Sequence, residues 1–98
     1  MDRLTVIAKF KAKSGSETLL HQQLLQLIAP TLAEEGCLNY DLHRSIEDLT
    51  LFWFYENWAS KSLWEQHIKS EHIKTFQAQT TEIIDSFDIS LMKLEKPD

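Results

Sequence analysis

Apolar and polar positions alternate along the first dozen residues. In "LTVIAKFKA", Leu4, Val6, Ala8, Phe10 and Ala12 point one way and Thr5, Lys9 and Lys11 the other, with Ile7 the exception. A period of two predicts a strand over residues 3–12. "SGSE" follows, with Ser14 and Glu17 in capping-box spacing, and marks a helix start. Leu20, Leu24, Leu27 and Ile28 then recur at helical spacing, predicting a helix over 16–34. Pro30 should kink that helix or end its first segment, because it has no N–H to bond toward Gln26. Gly36 suits the left-handed stop that follows.

Alternation returns in "CLNYDLHRS", with Leu38, Tyr40 and Leu42 on one face and Asn39, Asp41 and His43 on the other. "SIEDLT" reads as a turn, and residues 50–58 as the second strand of an antiparallel hairpin. Ser60 is placed to cap a short helix through His67. Ser70 breaks the chain and caps a second helix from Glu71 to about Ile84, with Ile73, Phe76 and Ile83 available for its buried side. "FDISLMKLE" closes the pattern as a fourth strand, with Phe87, Ile89, Leu91 and Lys93 on one face. Strand, helix, strand, strand, helix, strand is the α+β ferredoxin-like βαββαβ arrangement: one four-stranded antiparallel sheet with its helices on one face.

One strand departs from simple alternation. "LFWFYENW" puts five aromatic residues into eight positions, with Phe52 and Phe54 on one face and Trp53 and Tyr55 on the other. One face packs on the helices. The other would leave an aromatic patch larger than soluble monomers usually carry. Two such sheets packed about a two-fold axis would cover both faces, so a homodimer is expected.

Composition narrows the functional classes. The 98 residues fit a single domain, 1–98, that buries roughly 60–65% of its unfolded surface. Net charge is −5, and the ten Lys and Arg residues are scattered apart from Lys9, Lys11 and Lys13, which argues against nucleic acid as a partner. The start "MDRLTVIAKFKAK" lacks the apolar run and small-residue cleavage site of a signal peptide. No stretch is long and apolar enough for a membrane span, so no membrane partner and a cytoplasmic location are expected. The single cysteine, Cys37, excludes an internal disulfide and a multi-cysteine metal site.

The sharpest polar features cluster after the aromatic strand. His67 and His72 are five residues apart across the break at Ser70, whereas a zinc helix needs i and i+4 with a Glu between. No further ligand cluster is evident, and no metal site is read. The pair fits either surface histidines at helix ends or the lining of a cavity where the broken helix crosses the sheet. In a cavity either imidazole could take a proton near neutral pH. Glu56 and Asn57 end the strand on opposite faces. A carboxylate such as Glu56 is either an ordinary strand-end group or, at the rim of an apolar pocket, one of raised pKa suited to proton transfer. Trp53, Trp58 and Trp64 suit core or interface, and a tryptophan can also wall an aromatic ligand. Ser14-Gly15-Ser16 is not followed by a P-loop lysine pattern, and Cys37 has no arrangement for nucleophilic catalysis.

Taken together, "EEGCLNYDLHRS", "LFWFYENWAS" and "LWEQHIKSEHIKTF" resemble the antibiotic biosynthesis monooxygenase (ABM) domain family. The matching positions are Gly36, Cys37, Tyr40, Glu56, Trp58, His67, His72 and Phe76, and the resemblance spans essentially the whole chain. It implies a dimeric α+β barrel and a pocket between sheet and helices in each subunit. It also implies a cofactor-independent, quinol-type monooxygenase. A small aromatic substrate, deprotonated in an apolar pocket, would supply electrons to O2 with no flavin, haem or metal. On that model His67 or His72 takes a proton or donates a hydrogen bond, and Glu56 orients a histidine or relays the proton. Trp58, Phe54 and Phe76 form the wall, with Asn39 and His43 as further pocket candidates. Other members of the broad family imply a cofactor-free isomerase of a small phosphorylated signalling metabolite, whose phosphate would need Arg44, Lys61 or Lys69. Haem degraders carry an Asn in the first strand, which "LTVIAKF" lacks. A non-catalytic dimeric ligand-binding module is the third alternative.

Overall fold

The structure, a computed structural model, describes residues 3–97. Its elements are β1 (Leu4–Ala12), α1 (Glu17–Gln26), α2 (Ile28–Leu32), β2 (Cys37–Arg44), β3 (Leu51–Trp58), α3 (Lys61–His67), α4 (Glu71–Thr80) and β4 (Ile84–Met92). The strands form one sheet in the order β2-β3-β1-β4, every neighbouring pair antiparallel. This is the expected ferredoxin-like arrangement. Among the described residues no helix is long and apolar enough to cross a membrane.

Alternation sets the two faces of the sheet. Val6, Ala8 and Phe10 pair across the ladder with Glu56, Phe54 and Phe52, and this row faces the helices. Leu20, Leu24, Leu27, Ile73 and Phe76 close over it to form the core. Phe52, Phe54 and Trp58 are completely buried, each contributing roughly 1.5–3 kcal/mol or more through loss of apolar contact with water. On the opposite face Trp53 and Tyr55 stay 39% and 44% exposed. The Lys9 ammonium lies 4.6 Å over the Trp53 ring.

Four local features differ from the sequence expectation, each for an identifiable reason. The capping box does not form. Ser16 takes the N-cap position without a side-chain bond, and the Glu17 carboxylate accepts from the Gly15 N–H at 2.9 Å. The first helix is split at Leu27, whose N–H turns back to the Leu24 carbonyl. Pro30 then sits in the first turn of α2, where its missing N–H costs nothing. In β2 the register shifts between Cys37 and Asn39, so that Cys37 lies opposite Trp58 and Leu38 is extruded, 51% exposed, instead of sharing the buried face of Tyr40 and Leu42. A one-residue bulge of this kind is invisible to a period-two reading. Finally α4 stops at Thr80 and β4 begins at Ile84, ending before Lys93. The hydroxyls of Thr80 and Thr81 donate to the Phe76 and Gln77 carbonyls, and the β-branched pair Ile83–Ile84 favours extended chain.

Gly36 adopts φ +85, as its position after α2 required. A Cβ there would also lie 2.8 Å from the Leu63 Cβ. Gly36→Ala therefore combines left-handed strain with overpacking and should lower stability by at least about 2 kcal/mol. Urea titration would register this as a lower midpoint at unchanged slope, and an unshifted midpoint would contradict the close approach.

Candidate active site

The turn between α2 and β2 places the first key group. The Glu34 N–H bonds the Thr31 carbonyl, its own carbonyl accepts from Cys37, and Gly36 reverses the chain beside α3. The Glu34 side chain is thereby directed at the break between α3 and α4. Ser70 makes that break: its N–H bonds the His67 carbonyl, and its hydroxyl caps α4 by accepting from the Ile73 N–H. His67 in the last turn of α3 and His72 in the first turn of α4 are brought face to face across it. A spacing of five, wrong for one continuous helix, becomes convergent once the helix is broken.

Glu34 Oε2 lies 2.6 Å from His67 Nδ1 and 2.8 Å from His72 Nε2. One carboxylate oxygen thus accepts from both rings. His67 is almost fully buried, its ring against Trp58 (centroids 4.7 Å) and edge-on to Tyr40 (5.5 Å). With Nδ1–H committed to Glu34, the nitrogen left without a protein partner among the described residues is Nε2. Burial pulls the His67 pKa below its ordinary value, and the bond and charge of Glu34 oppose that.

Glu56 enters from β3, paired with Tyr40 of β2 and Val6 of β1. Its Oε1 accepts the Trp58 indole N–H at 2.9 Å. Burial pushes its carboxyl up to about 7, the indole bond working against the rise and the Glu34 charge adding to it. Burial likewise raises the Tyr40 phenol, and raises the Cys37 thiol to about 11. Tyr40 and Cys37 are therefore neutral at physiological pH, while Glu56 is poised between its two forms.

Glu56 and His67 border a cavity of about 400 Å³ between the sheet and helices α3 and α4. Its walls are apolar: Val6, Ala8 and Phe10 from β1, Trp64, Ile73 and Phe76 from the helices, and Phe87 and Ile89 from β4. This volume falls within the usual range for small-molecule sites, roughly 300–1,000 Å³.

The residues singled out from sequence fall into three groups. Glu56, His67 and Phe76 line the cavity. Phe54 and Trp58 stand one layer behind it: Phe54 stacks under Tyr40 with centroids 4.1 Å apart, and Trp58 backs His67. His72 touches Glu34 but is not part of the lining. Asn39 and His43 are not brought to the cavity. Asn39 Nδ2 donates to the Tyr55 carbonyl and to Asp41 on the sheet's other face, where His43 pairs with Trp53. Sequence reasoning missed Glu34, for which the only signal was the acidic lead-in "AEEGC".

The profile of the antibiotic biosynthesis monooxygenase family matches residues 3–79. The chain belongs to that family. Within it, a Mycobacterium tuberculosis protein, Rv0793, named as a candidate monooxygenase, is 34% identical over 83 residues, covering 83% of this chain and 79% of its own. Its solved structure matches with a TM-score of 0.89 at 26% identity, over 97% of both chains. The crystal structure of PA3566 from Pseudomonas aeruginosa matches with a TM-score of 0.94 at 32% identity, over 98% of this chain and 97% of that one. The matched segment of this ABM chain takes in Glu34, Glu56, His67 and His72, whereas β4, with Phe87 and Ile89, lies beyond it.

Proposed function

We propose that the protein is a cofactor-independent monooxygenase that oxidises a quinol- or polyphenol-type aromatic with O2. The observation that carries this reading is an apolar cavity, large enough for a fused-ring phenol, bordered by two titratable residues, Glu56 and His67, the latter with Nδ1 held by Glu34. Glu34 fixes the His67 tautomer, so that a lone pair and not an N–H is left for a substrate hydroxyl. The substrate hydroxyl gives its proton to Nε2. The resulting anion passes one electron to O2, and superoxide and the aryl radical couple to form a C–O bond. The peroxide takes the proton back from His67. Glu56 then removes the ring C–H proton as the O–O bond breaks, leaving a carbonyl on the ring, and the departing hydroxide takes up a proton to become water. One O2 supplies one atom to the product and one to water. The dry apolar walls keep the anion's charge from being screened before it meets O2.

The same reading includes a homodimer, supported by the exposed Trp53 and Tyr55 on the sheet face away from the helices. A phosphorylated substrate is disfavoured, because Arg44, Lys61 and Lys69 are absent from the cavity lining.

Oxygen uptake with a panel of reduced naphthoquinols tests the proposal. Uptake well above autoxidation, with one atom of labelled O2 in the product and no hydrogen peroxide released, is the expected result. A quinol that binds, as read by tryptophan fluorescence, without any acceleration of uptake would favour a binding module instead.

A further inference from the structure

The objection to a metal in the sequence was the histidine spacing and the lack of a third ligand, and the fold removes both. Glu34 Oε2, His67 Nδ1 and His72 Nε2 all lie within 4.8 Å of one another. They come from three different elements, the α2–β2 turn and the facing ends of α3 and α4, so their approach is set by the tertiary fold. We propose that Glu34, His67 and His72 bind a divalent transition-metal ion of the zinc class, with water completing its coordination.

Ligand chemistry selects the class. Two imidazoles with one carboxylate suit zinc, cobalt, iron or nickel, whereas magnesium and calcium prefer all-oxygen shells. Around a tetrahedral ion with bonds of about 2.0–2.2 Å, neighbouring donor atoms stand roughly 3.3 Å apart. The carboxylate oxygen is now 2.6 and 2.8 Å from the two nitrogens, so these contacts need open by roughly 0.7 and 0.5 Å, while the two nitrogens, within 4.8 Å of each other, adjust toward the same spacing. His72 and Glu34 are partly exposed, with side-chain exposures of 23% and 17%, which provides both an entry path and room for that adjustment. Charge also favours a cation: the trio carries one formal negative charge with neutral imidazoles, and the chain as a whole carries −5.

Occupancy would change what the cavity sees. A metal on Nδ1 forces the remaining imidazole proton onto Nε2, which then presents a donor where the free protein presents a lone pair. Metal and proton abstraction by His67 are then mutually exclusive, so the ion would inhibit turnover. That consequence rests on the function proposed above. The binding itself does not.

The test is titration of metal-free, full-length protein with Co2+, followed through its visible d–d absorption, with Zn2+ as competitor. Saturation at one Co2+ per chain, displaced by Zn2+, is expected. Glu34→Gln and His72→Ala should each weaken binding by about 100-fold or more, beyond the usual loss from removing an outer-shell partner. His72→Ala touches only a partly exposed side chain, and circular dichroism would verify its fold. A His21→Ala, His43→Ala double variant, which removes the histidines lining a separate surface groove, should bind as wild type does. Absence of saturable 1:1 binding, its persistence in both Glu34→Gln and His72→Ala, or its loss in the groove variant would overturn the assignment.

Discussion

Turnover of an accepted quinol should fall by about 10²- to 10⁴-fold in His67→Ala, the usual loss when a positioned general base is removed. The geometry makes this expectation asymmetric between the two histidines. His67 lines the cavity and has its Nε2 lone pair free, while His72 contacts Glu34 from outside the lining. His72→Ala should therefore reduce turnover far less than His67→Ala does, because it removes a group that acts only through Glu34. Because His67 is buried, its alanine variant would also lose packing, and His67→Gln supplies a near-isosteric check. A base role predicts that kcat falls with KM nearly unchanged in both His67 variants, whereas a purely structural role would lower stability and leave the kcat of the folded fraction intact. Equal losses at His67 and His72 would contradict the assignment.

The second large effect is on stability. Burial lifts the Glu56 carboxyl from its ordinary 4.5 to about 7. Its pKa is higher folded than unfolded, so between those values the folded state holds the extra proton. The stability associated with protonated Glu56 is fully present below pH 4.5 and is lost as pH rises through 7. A rise of this size corresponds to on the order of 3 kcal/mol, expressed as a decline in unfolding free energy across that window and a plateau above it. Glu56→Gln keeps an oxygen to accept the Trp58 indole N–H but cannot ionise, so its decline over the same window should be shallower by that amount. It should also be the more stable protein at pH 8. Urea unfolding of both proteins from pH 4 to pH 8 makes the comparison, and parallel pH dependences would show that the carboxyl is not desolvated as described. Since turnover in the proposed mechanism needs the ionised form, activity should rise over the very interval in which stability falls.

The two tests bear on residues of unequal legibility. The strands were readable because alternation is dictated by the pleat: Phe52 and Phe54 against Trp53 and Tyr55 separated in the sequence as they do in the sheet. The helix break at Ser70 was readable too, because a serine before "EHIK" is a capping signal, and Ser70 does cap. Glu34 was not. It sits in a turn, where no periodicity distinguishes one acidic residue from another, and its partners lie 33 and 38 residues further along. Asn39 and His43 lie on the face that alternation assigned them, opposite Tyr40 and Leu42, and that face turns away from the cavity, so neither joins the lining. Leu38 failed for a different reason: a bulge adds one residue to one strand only, and it is resolved by the neighbouring strand and not by local pattern. Pro30 announced an interruption correctly in kind, but the chain yields at Leu27, where doing so leaves the proline in a position that needs no N–H.

Part of the cavity wall belongs to β4, which among the described residues pairs with β1 alone and leaves Phe87 and Ile89 59% and 39% exposed. Those two side chains line the cavity and are far more exposed than Phe52, Phe54 and Trp58, although Phe87 stacks on Phe10 with centroids 5.9 Å apart. Substitutions at Phe87 and Ile89 should therefore reshape the cavity at less cost to folding than substitutions at Phe52, Phe54 or Trp58.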